Sequence, residues 1–440
     1  MRITFWGTRG SIPTPGPEYV RYGGNTPCID VRTDDGTLFV LDCGTGARKL
    51  GMRLAQNGPV RAHMLIGHTH GDHIQGLPFF VPALAEGSYV TIYGPAGIDR
   101  SFPRAISGQM EYAYFPVPIS QISARLEFEE LGEREFAIGN ARVRTQFLNH
   151  TAPCVGYRIQ IGNTVLVYAT DHEPNAESLW RADRPTRAYD PAAILHPLDA
   201  AHTEFLRDAD LVIHDTQYLA SEYPAHVGWG HSTMEYTVDV ALTARAKRLV
   251  LFHHDPNRTD NAMDRLLVAA TDRATASGIP MEVLAASEGM ELVLPEHGTL
   301  TPADGVSHAT VLAPRPRILL AEDDDAVAYT LNDVLEDDGY QVKRAADGRQ
   351  AVELASQHPF DLVLLDLEMP ELDGFTVCRM LRSNERFKTL PILVLTVRND
   401  PQDILAGFAE GVTDYMTKPF KEAQLRARVR SWLIRAGQTP

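Results

Sequence analysis

Four side chains able to bind a transition metal fall within six residues: His68, His70, Asp72 and His73, in the run His-Thr-His-Gly-Asp-His. Imidazole and carboxylate are the donors that borderline cations such as zinc favour. The run follows HMLIG, which reads as a strand, so one loop at a strand end can hold two adjacent metals. Two such cations activate water at neutral pH and stabilise an in-line phosphoryl displacement. Thirteen of the sixteen histidines precede position 297, but His63, His172, His196 and His202 stand apart from any motif and read as satisfied core or surface residues.

A second kind of chemistry is written near the C-terminus. ILLAEDDD puts Glu322 and Asp323 at the end of one strand, LVLLD puts Asp366 at another, LVLT ends on Thr396, and Lys418 follows YMT. In a doubly wound sheet, ligands gather at the carboxyl ends of the strands. Three carboxylates there suit Mg²⁺, which binds through oxygen, and a lysine and a threonine suit a phosphoryl group.

The elements that must position these residues divide the chain. LPEHGTLTPADGVSHATVLAPRP has no sustained period and reads as a linker, which sets domains at 1–295 and 316–440 with 296–315 between them. Apolar strands alternating with helical patterns after the linker predict a parallel sheet covered on both faces. Before it, CIDVRTDDGTLFVLDCG and VRTQFLNHTAPCVGYRIQIGNTVLVYATD predict hairpins. MEYTVDVALTARA and NAMDRLLVAATDRATASG predict helices, the second stopping at Gly278. The opening MRITFWGTRGSIP reads as a strand entering a Gly/Pro loop.

The histidine run resembles that of the metallo-β-lactamase superfamily, over about residues 1–295. The resemblance implies an αββα sandwich with His68, His70 and His150 (in LNHTAP) on one metal. It puts Asp72, His73 and His253 (in LFHHDP) on the other, with Asp171 (in YATDHE) bridging. Asp42 in LFVLDCGTG matches the strand-end aspartate that orients the histidine loop. His254 adjoins His253, and the choice between them rests on register. DADLVIHDTQYL, GWGHST and RLVLFHHDP narrow the resemblance to the ribonuclease Z and cyclic-phosphodiesterase branch, which implies catalytic roles for Asp72, His231 and Asp215. GTRGSIPTPG with GGNTPC resembles that branch's substrate loop. The basic Gly/Pro-rich arm that ribonuclease Z uses to grip transfer RNA is missing from the sequence. Residues 179–202 read as a lid over a small pocket or as a surface insertion. A flavodiiron-like redox site is disfavoured, because that branch has glutamate where this chain has His70.

Residues 316–436 resemble a response-regulator receiver, a (βα)5 doubly wound domain. The resemblance implies Asp366 as phospho-acceptor and Mg²⁺ held by Asp323, Asp366 and the Glu368 main-chain carbonyl. It completes the acidic pair with Glu322, where the family usually has Asp. Thr396 and Tyr415 are the switch positions, and Lys418 contacts the phosphoryl group. Here the receiver follows the effector instead of preceding it.

Composition sets the outer limits. The chain has 440 residues, 44% of them hydrophobic, and a net charge of −16, which does not favour a nucleic-acid coat. No run approaches a membrane span or a signal peptide. The four cysteines are scattered, indicating neither a disulfide framework nor a cysteine zinc knuckle. The expectation is a cytoplasmic response regulator whose output is a dinuclear-metal phosphodiesterase, with zinc (or manganese or iron) in one domain and Mg²⁺ in the other. It acts on small phosphodiesters such as cyclic nucleotides and receives phosphate from a sensor histidine kinase or phosphotransfer protein; homodimerisation is open. An RNA-processing nuclease, a lactone or amide hydrolase, and a non-catalytic adaptor with a structural metal are the alternatives.

Overall fold

The structure is a computed structural model, and it describes residues 1–97, 101–175, 197–296, 316–396, 410–420 and 422–435. The linker reading (297–315) and most of the lid-or-insertion reading (176–196, with His196) lie outside the described residues. The chain divides into two compact units, Met1–Ser307 and His308–Pro440.

The first unit is built on two seven-stranded sheets. One contains β1 (Arg2–Gly7), β2 (Cys28–Arg32), β3 (Leu38–Leu41), β4 (Arg61–Leu65), β5 (Tyr89–Pro95) and β6 (Arg125–Leu131). The other contains β7 (Glu135–Ile138), β8 (Ala141–Phe147), β9 (Val155–Ile161), β10 (Thr164–Ala169), β11 (Leu211–Asp215), β12 (Arg248–Phe252) and β13 (Glu282–Ala285). The last strand, β14 (Glu291–Val293), returns to pair antiparallel with β1, giving the orders β14-β1-β2-β3-β4-β5-β6 and β13-β12-β11-β10-β9-β8-β7.

The two-residue alternation of a strand builds the layers. In β3, Leu38 and Val40 face a helix at Gly46–Ala55 and join its Leu50 and Leu54 in one core. In β12, Leu249 and Leu251 face the helices Met234–Thr243 and Asp260–Ala276, meeting Val238, Leu242 and Leu266. The opposite faces meet each other: Phe5 of β1 lies 6.1 Å from Phe252 of β12, ring to ring, and Tyr168 of β10 lies 5.8 Å from the same ring. The result is helix, sheet, sheet, helix. All six residues of β10 are buried, as expected of a strand covered on both sides.

One topological fact positions the site. β3 and β4 pair in parallel, as do β10, β11 and β12, so within each sheet these strands end at the same edge. The residues just past those ends are Asp42, the His68–His73 loop, Asp171 and His253, while Asp215 closes β11. Asp42, Asp171 and His253 have φ of 55°, 57° and 58°. That left-handed conformation is uncommon for non-glycine residues and clusters at functional sites.

The second unit is a five-stranded parallel sheet of β15 (Arg317–Ala321), β16 (Gln341–Ala345), β17 (Leu362–Asp366), β18 (Ile392–Thr396) and β19 (Asp414–Thr417), in the order β16-β15-β17-β18-β19. Helices at Asp325–Asp337, Gly348–Gln357, Gly374–Arg382 and Glu422–Arg435 belong to it. Asp324 caps the first by accepting from the Ala326 and Val327 amides. Cys28, Cys43, Cys154 and Cys378 are all free and buried. Among the described residues, no helix is long and apolar enough to cross a membrane.

Candidate functional site: a metal centre and an aspartate pocket

The structure gathers His68, His70, Asp72, His73, His150, Asp171 and His253 into one cluster. Two of its triads, His68/His70/His150 and Asp72/His73/His253, each bring their ligand atoms within 4.8 Å of one another. Asp171 stands between them. Its Oδ1 is 3.2 Å from His73 Nε2 and 3.3 Å from His253 Nε2, while its Oδ2 is 3.7 Å from both His68 Nε2 and His150 Nε2.

Three of these histidines are held from behind, which fixes the edge they present. His73 Nδ1 donates to Asp42 Oδ2 at 2.7 Å, His150 Nδ1 to the Gly230 carbonyl at 2.9 Å, and His253 Nδ1 to Gln217 Oε1 at 3.0 Å. With each Nδ1 so engaged, each Nε2 faces the cluster. Asp42 is itself fully buried and accepts from the Gly67 amide and the Tyr168 hydroxyl. Close backbone approach requires glycine at Gly230, where a Cβ would sit 2.1 Å from His150 Nδ1, and at Gly10, where it would sit 2.4 Å from that of His253.

The donors fit divalent cations. His68 Nε2 is buried with no hydrogen-bond partner, and it faces the cluster. Burial holds His150 down at about 3 and lowers His68 and His70, which keeps these rings in the neutral form that ligates. His73 goes the other way. Burial opposes its charge, but Asp72, Asp171 and Asp42 together raise it well above the usual imidazole range. Burial would likewise raise Asp72, yet His73 and His253 hold its carboxyl well below the usual range. The pocket is rich in ionised carboxylate and calls for positive charge.

His254 turns away from the cluster: its Nε2 donates to the Ala286 carbonyl at 2.8 Å. His231 lies at the cluster's side, with Nδ1 on Asp215 Oδ2 at 3.0 Å and 3.8 Å from Asp171. Asp215 is buried behind it, where it also accepts from the His172, Ser232 and Gln217 amides. Asp215 thus holds His231 by its Nδ1, and Asp215, His231 and His253 also bring their ligand atoms within 4.8 Å of one another. Burial works against a charge on His231, but Asp215 and its hydrogen bond outweigh that, and the protein's own charges raise it to about 9. The next residues of the motif are structural: Ser232 Oγ donates to the His172 carbonyl, and Thr233 caps the helix at Met234–Thr243.

Sequence reasoning missed Gln217, Glu173, Tyr168 and the Ser11 amide, which donates to Asp72 Oδ2 at 2.8 Å. All four lie in segments that the sequence singles out, Ser11 in GTRGSIPTPG, Tyr168 and Glu173 in YATDHE and Gln217 in DADLVIHDTQYL, but nothing there shows what they touch. Gln217→Ala should cost about 10–100-fold in metal affinity or activity, as expected for a residue that orients a ligand. Metal titration of the purified variant checks it, and unchanged affinity with unchanged turnover would remove Gln217 from the site. His172, His202 and His214 form a buried network beyond Asp215, with His202 Nε2 2.9 Å from His214 Nε2.

In the second unit, Lys418 Nζ donates to Glu322 Oε2 at 2.7 Å and to Asp366 Oδ2 at 2.6 Å. The Glu368 amide donates to Asp366 Oδ1, and Thr396 is buried at the end of β18. Asp323 is exposed beside them, and Tyr415 is half-buried against the core. The strand ends thus bring Glu322, Asp366 and Lys418 into contact.

Two facing sheets between helices, with a His/Asp cluster at parallel strand ends, define the metallo-β-lactamase fold; the five-stranded unit defines a receiver. The beta-lactamase superfamily domain model matches residues 37–254, and the response regulator receiver domain model matches 318–430. The chain carries a beta-lactamase superfamily domain followed by a C-terminal receiver domain.

Ribonuclease Z of Thermoplasma acidophilum is 28% identical over 290 residues, covering 60% of this chain and 89% of that protein. The DNA-binding dual master transcriptional regulator RpaA of Synechocystis is 45% identical over 125 residues, covering 28% of this chain and 52% of that protein. The chain spans about half the length of the first curated response regulators it matches. Among solved structures, human tRNase Z, short form, is 21% identical with a TM-score of 0.46, over 67% of this chain and all of that one. Metallo-β-lactamase-fold relatives include hydrolases, and the fold implies divalent metal at the His/Asp clusters.

Proposed function

We propose that the first unit is a dinuclear-metal phosphodiesterase acting on small phosphodiesters such as cyclic nucleotides, and that phosphorylation of Asp366 controls it. The observation that carries this reading is Asp171, whose two oxygens each face a different triad of ligand-type residues. His68, His70 and His150 would hold one ion and Asp72, His73 and His253 the other, with Asp171 between; zinc suits these donors best, manganese and iron next. Divalent ions held there supply Lewis acidity toward the phosphoryl oxygens.

The chain's own residues do the rest. Asp72, kept ionised, orients the attacking group. His231 is held by Asp215 through Nδ1, which leaves Nε2 to donate a proton to the leaving oxygen or to stabilise developing charge. In the receiver, the Asp366 carboxylate would take the phosphoryl group, with Mg²⁺ on Asp323, Asp366 and the Glu368 carbonyl. Lys418, already on Asp366, would hold its oxygens.

An RNA-processing nuclease is the second reading, supported by the likeness to ribonuclease Z over 89% of that protein. The net charge of −16 weighs against a long RNA substrate. Purified full-length protein should therefore be assayed on cyclic mononucleotides, cyclic dinucleotides, short RNAs and bis(p-nitrophenyl) phosphate. Turnover of short RNAs alone would replace the small-substrate reading, and turnover of none would favour an adaptor with a structural metal.

The regulatory part has its own expected result. Treating the protein with a small phosphodonor and Mg²⁺ should shift hydrolysis, whereas Asp366→Asn should give no response. A coupling typical of allostery, about 1–3 kcal/mol, corresponds to roughly 5–150-fold in affinity. Unchanged kinetics with the phosphoryl group confirmed by mass would leave the receiver without a role over this enzyme.

A further inference from the structure

We propose that Trp229 is a stacking platform for an aromatic ring carried by the substrate, a nucleobase, at the side of the metal centre; this rests on the phosphodiesterase reading. Trp229 is 52% exposed. A single exposed apolar side chain is ordinary, and three further observations distinguish this one.

The first is its anchorage. Trp229 sits between Gly228 and Gly230, with φ of 82° and 84°, and one carboxylate, that of Glu173, accepts from both glycine amides at 2.6 and 2.8 Å. Glu173 is itself buried and accepts from the Tyr223 hydroxyl. An indole on so tightly held a backbone has few conformations to lose on binding, which is how a rigid aromatic gives contact area at low entropic cost.

The second is its place. The Gly230 carbonyl, one residue on, accepts from His150 of the metal cluster, and His231 follows it. The third is continuity. Trp229 meets His226 edge-on at 5.0 Å, His226 stacks on Tyr218 at 4.3 Å, and Tyr218 meets His231 at 6.1 Å. Aromatic rings thus run without a break from an exposed indole to the histidine assigned to the leaving group. The occupant proposed for that surface is a nucleobase carried by the phosphodiester, since Trp229 is one residue from the Gly230 carbonyl that holds His150. Stacking suits it because every base has a π-face.

The test compares adenosine cyclic phosphates with base-free ribose 2′,3′-cyclic phosphate, on full-length wild type, Trp229→Ala and Trp229→Phe. Trp229→Ala should raise KM for the adenosine substrates by about 5–150-fold, the range that base–aromatic stacking supplies. It should leave kcat and the base-free substrate nearly unchanged, and Trp229→Phe should restore most of the loss. Equal KM changes on both substrates, or none, would overturn the platform and leave the phosphodiesterase reading standing. If wild type hydrolyses neither substrate, that reading fails instead. The platform is then judged by calorimetry with AMP against ribose 5-phosphate: tighter AMP binding that Trp229→Ala abolishes supports it, and equal binding of the two overturns it.

Discussion

Asp171→Ala should abolish hydrolysis of bis(p-nitrophenyl) phosphate, a larger loss than the 10–100-fold typical of residues that only orient ligands. It should also leave the protein short of metal. Asp171 is 2% exposed and is the carboxylate that faces both triads, at 3.2–3.3 Å on one side and 3.7 Å on the other. Burial opposes its charge, but His253, His73 and His68 overcome that and hold it well below the carboxylate range, so it is ionised throughout the working pH range. Without it, buried imidazoles crowd together with no shared negative charge to offset the cations they would bind. The second compact unit provides an internal control, since Asp366 should still accept phosphate from a small donor. Elemental analysis alongside the assay decides the matter: two equivalents of metal and full activity in Asp171→Ala would refute a bridging role.

His231→Ala should lower kcat by about 10²–10⁴-fold, the range for a general acid–base group, with KM little changed and metal content intact. The separation of the two effects follows from geometry. His231 commits Nδ1 to Asp215 at 3.0 Å and lies outside the two triads assigned to the metals, so its loss is expected to remove a proton donor. Asp215→Asn should move kcat the same way, because His231 would lose its counter-charge and the new amide NH2 would face a backbone N–H donor in either orientation. Steady-state kinetics with parallel metal analysis provides the check. Normal kcat in His231→Ala would make the residue structural, and loss of metal would make it a ligand.

Much of this protein is legible in its sequence because the information is local. Strand and helix periods mark where β3, β10, β11, β12 and the receiver strands end, and a parallel pairing puts such ends on one edge. Residue types at those ends announce the aspartate pocket and the His68–His73 run, while His150, Asp171 and His253 join the cluster only through the family resemblance. His68, His70, Asp72 and His73 are adjacent in sequence, so their meeting needs no tertiary information.

Tertiary structure decided the rest. Whether His253 or His254 enters the cluster turns on one residue's backbone, φ 58° at His253, which aims it at Asp72 and sends His254 to Ala286. Asp72 and His253 stand 181 residues apart, and only the face-to-face packing of the two sheets brings them to 3.2 Å. Gln217 behind His253 and Glu173 beneath Trp229 lie within motifs, yet no motif shows which partners they hold. A hydrogen bond between a side chain and a distant partner leaves no period in the sequence, because it depends on where two separately folded strand ends come to rest.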